Sequence, residues 1–319
     1  MAASKANGSA GGARRANGSG AARARSRGAA SSNSANGGSR TNRCAAERRT
    51  DAPSPLGRAA NALATLVATA CLAITCVAAG FAACALPDTA CEMLGGAFAK
   101  ETDSPFTRDE LVTCGVVTKQ YTFNTHDERA LLDAVYLINR SAASDGRAEA
   151  GAPDLSAWAE GTPSLEEARA ALEAADESYV LTPDAISHLD DVYYVVSVAY
   201  PLITAAAVIA VCGIVFLAAR RGRRRVGGAL VAAGTVVLAL FAVLAAWVAI
   251  DFNGFFAAFH SLFFAEGTWT FAWDSLLICM YPPEFWMGMG AVWLGATVVC
   301  CAACIVVGAV LLRHRRTAG

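Results

Sequence analysis

Charged residues are scarce in this chain: 17% of its 319 residues are Asp, Glu, Lys or Arg, whereas 55% are hydrophobic. Together with a mean hydropathy of +0.40, this composition excludes an ordinary soluble domain and indicates a membrane protein. Common catalytic signatures are also missing, because the sequence contains no GxSxG, no HExxH and no nucleotide-binding glycine loop. The sequence therefore does not support the usual serine-hydrolase, zinc-protease or nucleotide-binding classes.

Four apolar runs are each long enough to cross a bilayer, which requires about 20 residues. They cover approximately residues 63–86, 192–219, 226–250 and 287–312. The sequence therefore predicts an all-α membrane protein with four transmembrane helices within residues 59–319, connected by long loops at 87–191 and 251–286. The first run is longer than the apolar core of a signal peptide, so it is expected to remain as an anchor.

Basic residues alternate with the four runs. Residues 1–58 hold eleven Lys or Arg and two acids, the link between the second and third runs reads RRGRRR, and three Arg follow the fourth run. Residues 85–190 instead hold seven basic and twenty acidic residues. Because basic segments stay on the cytoplasmic side, both termini are predicted to be cytoplasmic and both long loops extracytoplasmic. Basic runs also occur in nucleic-acid binding, but their alternation with the spans favours topology, and no nucleic-acid partner is expected.

The two long polar segments differ in their expected order. Residues 1–58 contain hardly any large apolar side chain, so this basic tail is predicted to be disordered. The first long loop is predicted to be mostly helical. In it, Thr107 precedes Glu110 by three positions and Ser164 precedes Glu167 likewise, which is the spacing of a helix capping box.

Two histidines are predicted to lie at the outer ends of neighbouring spans. The stretch LTPDAISHLDD begins with a Thr–Pro pair that suits a helix N-terminus, and a helix starting there has Asp184, His188 and Asp191 on one face. His260 follows the third run and is expected on the same outer side. A pair of imidazoles near a carboxylate suits acid–base chemistry, although each ring is equally able to bind a backbone carbonyl in a purely structural role.

The remaining histidines and the cysteines carry no comparable pattern. His126 is expected at a helix start or on the surface, and His314 lies in the basic C-terminal tail. Most cysteines fall within the apolar runs, where Cys behaves as a small apolar residue, so no metal site is predicted. Cys91 and Cys114 lie in the same outer loop and are a candidate disulfide.

An aromatic loop with little charge follows the third run and reads DFNGFFAAFHSLFFAEGTWTFAWDSLLICMYPPEFW. It resembles the outer-loop signature of a bacterial four-span family, in which a Phe–His–x–Leu–Phe–Phe motif precedes a Trp–x–Phe, an aspartate and a Pro–Glu–x–Phe–Trp segment. The stretch ISHLDDV resembles the second signature of that family, His–Leu–x–Asp–Val. The family includes the lipoprotein intramolecular transacylase of Gram-positive bacteria. The resemblance covers residues 251–286 and 181–200, and it does not extend to 1–57 or to most of 88–175.

The resemblance implies an acyltransferase of the bacterial cytoplasmic membrane with its site on the extracytoplasmic side. Such enzymes move the sn-2 acyl chain of a diacylglyceryl-cysteine lipoprotein to the α-amino group of the same cysteine, which gives the lyso-form. No cofactor is implied, because an ester is exchanged for a more stable amide, and the implied partners are diacylated lipoproteins and membrane phospholipid. His188 and His260 match the catalytic positions, with the assignment of the base left open. The implied orienting or pocket residues are Asp184, Asp191, Asp274, Trp269, Phe271, Trp273, Pro282 and Phe285.

Two departures from the family pattern leave other functions open. The family usually has a Glu three positions before the first histidine, where this chain has Ala185 with Asp184 one position earlier. The first outer loop is also longer than the family pattern. The alternative is therefore a non-catalytic member that serves as an envelope assembly or docking partner. A small transporter is a third possibility, but the spans lack the buried charge that marks a solute pathway.

Overall fold

A computed structural model describes residues 55–159 and 161–313 of the chain. These residues form α-helices joined by short helical turns and loops, and no strand occurs among them. This confirms the predicted all-α class. The helices are α1 (Pro55–Ala85), α2 (Thr89–Phe98), α3 (Arg108–Gln120), α4 (Glu128–Ser144), α5 (Leu165–Glu173), α6 (Pro183–Arg221), α7 (Arg223–Ile250), α8 (Phe252–His260), α9 (Leu276–Met280) and α10 (Pro283–Arg313).

The N-terminal tail lies almost wholly outside the described residues, as do His314 and the residues that follow it. The exception is residues 55–58, which form the first turn of α1 rather than the end of a tail. Helix α1 starts with a proline, whose fixed φ suits the first helical position and whose missing N–H costs nothing there. The helix therefore starts earlier than the apolar run within it.

Helices α1, α6, α7 and α10 are long and apolar enough to cross a membrane, which confirms the four predicted spans. Each begins or ends outside its apolar run, and α6 shows why. The Thr182 side chain accepts a hydrogen bond from the backbone N–H of Ala185, and Pro183 occupies the first position of the helix. Local capping therefore starts α6 well before the apolar residues begin. Pro201 lies inside this helix without ending it.

Small residues let the spanning helices approach closely. Helix α10 packs against both α1 and α7. A Cβ atom added to Gly227 of α7 would lie 2.7 Å from the carbonyl oxygen of Gly308 of α10, and one added to Gly80 of α1 would overlap the Thr297 hydroxyl. Glycine at these contacts brings helix backbones together, and close van der Waals packing is what holds helices together in lipid.

The long first loop folds into a helical domain with its own core, named here the outer domain because it lies outside the four apolar spans. Helices α2 to α5, the first turns of α6 and the short α9 enclose a cluster of buried apolar side chains that includes Phe106, Leu111, Leu131, Val135 and Leu276. Both predicted capping boxes are confirmed at the start of α3 and of α5. The predicted disulfide is wrong, because Cys91 and Cys114 are free thiols buried in this core.

A buried lysine joins the outer domain to the first spanning helix. The Lys119 ammonium donates hydrogen bonds to the carbonyl oxygens of Leu86 at 3.2 Å and Pro87 at 3.3 Å, and to the Asp88 carboxylate at 2.9 Å. The bond from Lys119, helped by one from Gln120, holds the pKa of Asp88 below its usual range. These contacts satisfy the carbonyl groups at the end of α1 and set the direction in which the chain enters α2.

Candidate functional site

His188 lies in the second turn of α6, where the spanning helix enters the base of the outer domain. Its side chain is buried, with 9% of the residue exposed. The ring contacts the ring of Phe264 edge-on at 4.9 Å and that of Phe271 at 5.8 Å. The Nδ1 atom is buried and has no hydrogen-bond partner among the described residues. A buried nitrogen without a partner is costly, and a hydrogen bond to a bound molecule would remove that cost.

His260 is the last residue of α8, a short helix that follows α7 directly. The Asp251 carboxylate caps α8 by accepting a hydrogen bond from the backbone N–H of Gly254 at 2.8 Å. The Nδ1 atom of His260 lies 2.9 Å from the carbonyl oxygen of Phe256. A carbonyl oxygen only accepts hydrogen bonds, so Nδ1 carries the proton and Nε2 carries the lone pair. Burial lowers the pKa of His260, and the bond to the Phe256 carbonyl opposes that shift only in part.

The two imidazoles face each other across the start of α6 and the end of α8. Their ring centroids are 6.1 Å apart and their planes are inclined by 28°. They are not hydrogen-bonded to each other, and Phe264 contacts both rings. The pair lies at the end of the bundle opposite the Arg-rich link between α6 and α7, because α6 runs away from it and α7 returns to it.

Trp269 and Phe271 also lie beside the histidines. The Trp269 ring is 4.9 Å from that of His260, and Phe271 contacts His188. Phe256 packs against the ring of His260, with the two ring centroids 3.9 Å apart. The aromatic residues therefore surround the imidazoles on several sides with apolar surface.

The other predicted pocket residues lie further from the imidazoles. Pro282 and Phe285 are fully buried at the start of α10, and Phe285 packs against Trp286. Trp286 in turn contacts Phe256, so Phe285 and Trp286 pack behind the ring on which His260 rests and have no ring contact with either imidazole. Trp273 is 68% exposed and has no ring contact with either histidine.

The three predicted orienting carboxylates are not bonded to the histidines. Asp184 and Asp191 are exposed, and Asp274 is partly exposed. Within the described residues, none of them forms a hydrogen bond or an ion pair with His188 or His260. The orientation of His260 is instead set by a backbone carbonyl.

Phe256 and Phe264 contact the histidines but were not among the predicted site residues. They stand four positions before and four positions after His260, which is the spacing of one helix face. That spacing was a usable signal, although α8 ends at His260 and Phe264 reaches the pair from the turn that follows.

A cluster around Asp190 fixes the neighbouring turn of α6. The Tyr121 hydroxyl donates a hydrogen bond to the Asp190 carboxylate, and burial together with this bond raises the pKa of Tyr121. His126 lies just before α4, as predicted, with a positive φ of 51°. Its ring is stacked between Tyr121 at 4.6 Å and Tyr193 at 4.0 Å rather than displayed on the surface. These contacts hold the segment that carries His188 against the outer domain.

One group of thiols is close enough to share a soft metal ion. The sulfur atoms of Cys76, Cys300 and Cys304 lie within 4.8 Å of one another, with 3.8 Å between Cys76 and Cys304. The group lies among apolar side chains of α1, α7 and α10, and none of the described histidines or carboxylates belongs to it.

Four apolar helices and a helical outer domain define this chain as a multi-pass integral membrane protein with a paired-histidine site at one end of its bundle. Residues 166–286 match the family described as "Lipoprotein intramolecular transacylase Lit". The matched segment contains both histidines, and the resemblance noted in the sequence is confirmed. No curated protein sequence matches the chain.

Solved structures of a transacylase from Bacillus cereus share this fold. The chain superposes on the membrane integral lipoprotein intramolecular transacylase Lit from Bacillus cereus with a TM-score of 0.58 and 18% identity, covering 80% of this chain and 97% of that one. A variant of that protein with arginine in place of one histidine gives a TM-score of 0.55 at 17% identity, over 81% of this chain and 95% of the other. At these identities the likeness establishes the fold.

Proposed function

We propose that this chain is a lipoprotein intramolecular transacylase that moves the sn-2 acyl chain of a diacylglyceryl-cysteine to the α-amino group of that cysteine. The observation that carries the proposal is the pair of His188 and His260, 6.1 Å apart in an aromatic pocket at one end of a four-span bundle. The family match over residues 166–286 supports the same reaction class.

The hydrogen bonding of His260 supports its role as the base. Because Nδ1 donates to the Phe256 carbonyl, Nε2 is free to take a proton from the substrate amine. A lowered pKa keeps this imidazole neutral at neutral pH, which is the form a base requires. His188 has an unpaired Nδ1 and suits the polarisation of the ester carbonyl.

The reaction then balances without an external reagent. The amine nitrogen attacks the ester carbonyl carbon, a C–N bond forms and His260 takes one amine proton. The C–O bond to glycerol breaks, and the proton on His260 passes to the leaving alkoxide. Both reacting groups belong to one substrate molecule, so binding holds them together and supplies a large part of the rate enhancement.

The surroundings of the site suit a lipid substrate. Apolar side chains are exposed next to His260, among them Phe259, Leu262 and Phe263. Such residues beside a polar reacting centre fit the interface of a bilayer, where acyl chains stay in hydrocarbon and the cysteine head reaches the histidines. The basic link between α6 and α7 favours a cytoplasmic position for the opposite end, which leaves the histidines on the extracytoplasmic side.

Mass spectrometry of a lipoprotein N-terminus tests this function. A host that lacks its own lipoprotein N-acylation would express the chain or its His188→Ala/His260→Ala double variant, with membrane levels matched by immunoblot. We expect conversion from the diacylglyceryl form to the N-acyl lyso-form, and loss of that conversion in the variant. An unchanged lipoprotein at good membrane expression would refute the proposal and favour the non-catalytic docking role.

A further inference from the structure

We infer that the indole N–H of Trp269 stabilises the oxyanion that forms on the ester carbonyl oxygen during acyl transfer. This inference rests on the proposed transacylase function. It assigns Trp269 to the reacting atoms rather than to the wall of the pocket.

The first argument is an unused donor. The Nε1 atom of Trp269 is buried and has no hydrogen-bond partner among the described residues. An indole N–H only donates, and a buried tryptophan usually finds an acceptor for it. The missing acceptor at this position corresponds to an oxygen atom that the substrate brings.

The second argument is the position of that donor. The indole ring lies 4.9 Å from the His260 ring, and both rings pack on Phe256, at 6.2 Å and 3.9 Å respectively. The proposed base, His260, and the unused donor, Trp269, therefore both pack against the ring of Phe256. A carbonyl whose carbon is attacked by an amine beside His260 has its oxygen within the same aromatic enclosure.

The loop that carries Trp269 is held by its own turn. The backbone N–H and the hydroxyl of Thr268 both donate to the carbonyl oxygen of Ala265, at 3.3 Å and 2.9 Å. Gly267 supplies the positive φ of 87° that this turn requires. A donor held in place before the reaction needs no reorganisation when charge develops, which is the condition for effective oxyanion stabilisation.

The histidines leave room for a second donor to the ester carbonyl oxygen. The Nδ1–H of His260 is committed to the Phe256 carbonyl, and its Nε2 accepts the amine proton. His188 contributes one donor at most while neutral. As the C–N bond forms, the carbonyl π pair moves onto oxygen, and it returns when the C–O bond breaks. Trp269 donates a hydrogen bond to that oxygen throughout and exchanges no proton.

Two substitutions at this position separate the N–H from the ring. Trp269→Phe keeps an aromatic side chain without a donor, and 3-benzothienylalanine at position 269 replaces only the N–H with sulfur. The matched control is Trp158→Phe, because the Trp158 Nε1 is also buried without a described partner but its ring stacks on Tyr136 in the outer domain. Purified protein in nanodiscs would act on a synthetic diacylglyceryl-cysteine peptide, with initial rates followed by mass spectrometry.

Loss of one oxyanion donor typically lowers kcat by about 10²–10³-fold. We expect a fall of that size in kcat for both changes at position 269, with little change in KM, an unchanged shape of the pH–rate profile and the same thermal unfolding temperature. Trp158→Phe is expected to keep the wild-type rate. A wild-type rate for the benzothienylalanine protein would overturn the assignment while leaving the transacylase function standing. A wild-type protein without any transfer would overturn both.

Discussion

The Nδ1 atom of His260 lies 2.9 Å from the carbonyl oxygen of Phe256, one helical turn earlier in α8. This single contact fixes which nitrogen of the imidazole bears the proton and leaves Nε2 as the basic atom. It also fixes the ring on Phe256, so that the imidazole is oriented by the backbone and not by a carboxylate. Five predictions about activity and stability follow from this contact and from others elsewhere in the protein.

The acid side of the pH–rate profile should contain a break below the ordinary histidine value of about 6.5. His260 must be neutral to act as a base, and its lowered pKa keeps it neutral until the solution is more acidic than that value. The substrate α-amino group titrates separately, near 7.7–8.0. In a plot of log kcat/KM against pH, the slope should therefore be one just below the amine pKa and should approach two only below about 6.5. A slope of two that begins above that pH would contradict the assignment of His260.

Replacement of either paired histidine should lower the transfer rate by about 10²–10⁴-fold, the usual contribution of general acid–base catalysis. The measurement is the initial rate of lyso-form production by purified His188→Ala and His260→Ala proteins. The comparison variant is His126→Asn, which removes an imidazole outside the pair at a positive φ that Asn tolerates. Because the His126 ring stacks on Tyr193 of α6, a small loss is expected there, well below that of either paired-histidine variant. Full transfer by a well-folded His260→Ala protein would refute the catalytic assignment.

Lys119→Met should destabilise the protein, because it leaves the carbonyl groups of residues 86 and 87 and the Asp88 carboxylate without their buried cation. Hydrogen bonds to charged groups contribute about 1.5–3 kcal/mol, and a loss within that range is expected in detergent unfolding experiments. Lys100→Met is the control. Lys100 pairs with Glu284 at the surface, with side chains 38% and 48% exposed, and such pairs contribute less than about 1 kcal/mol. Equal losses in the two variants would contradict the anchoring role of Lys119.

The Lys119 contact also predicts how stability depends on pH. The pKa of Asp88 is lowered in the folded protein, so its contribution is present above the unfolded value of 3.8. It should be lost as the pH falls below that value, through the folded pKa. In Lys119→Met this part of the acid dependence should shrink, which unfolding temperatures measured between neutral and acidic pH would detect.

Gly80→Ala should weaken the contact between α1 and α10. The added methyl group would overlap the Thr297 hydroxyl and lie 3.0 Å from the Thr297 backbone nitrogen, and overpacking of this kind costs about 1–3 kcal/mol. Gly96→Ala in α2 is the matched control, because a Cβ atom there meets nothing within 4 Å. That variant should be neutral or slightly stabilising, since alanine favours a helix. Thermal unfolding followed by tryptophan fluorescence would compare the two.

The local features of this chain were predictable from its sequence. Apolar runs longer than a bilayer is thick allow only helices, because backbone groups in lipid must satisfy their hydrogen bonds within the segment. The capping boxes that begin with Thr107 and Ser164, and the Thr182 cap of α6, depend on residues within three positions of each other. The motifs around His188 and His260 carried the resemblance to the transacylase family for the same reason, since each lies within one short stretch, and the family model matches the segment that contains both.

The tertiary structure alone decided which side chains meet and which stay apart. Helical periodicity predicted that Asp184 and Asp191 share a helix face with His188. In the structure, the imidazole is buried at the base of the outer domain, whereas both carboxylates are exposed to solvent. Trp269 and Trp273 are close in the chain, but a turn at Gly267 and the contact with Phe256 direct only Trp269 towards His260. Burial of one ring and exposure of its neighbour depend on how distant helices fill shared volume, and spacing along the chain does not contain that information.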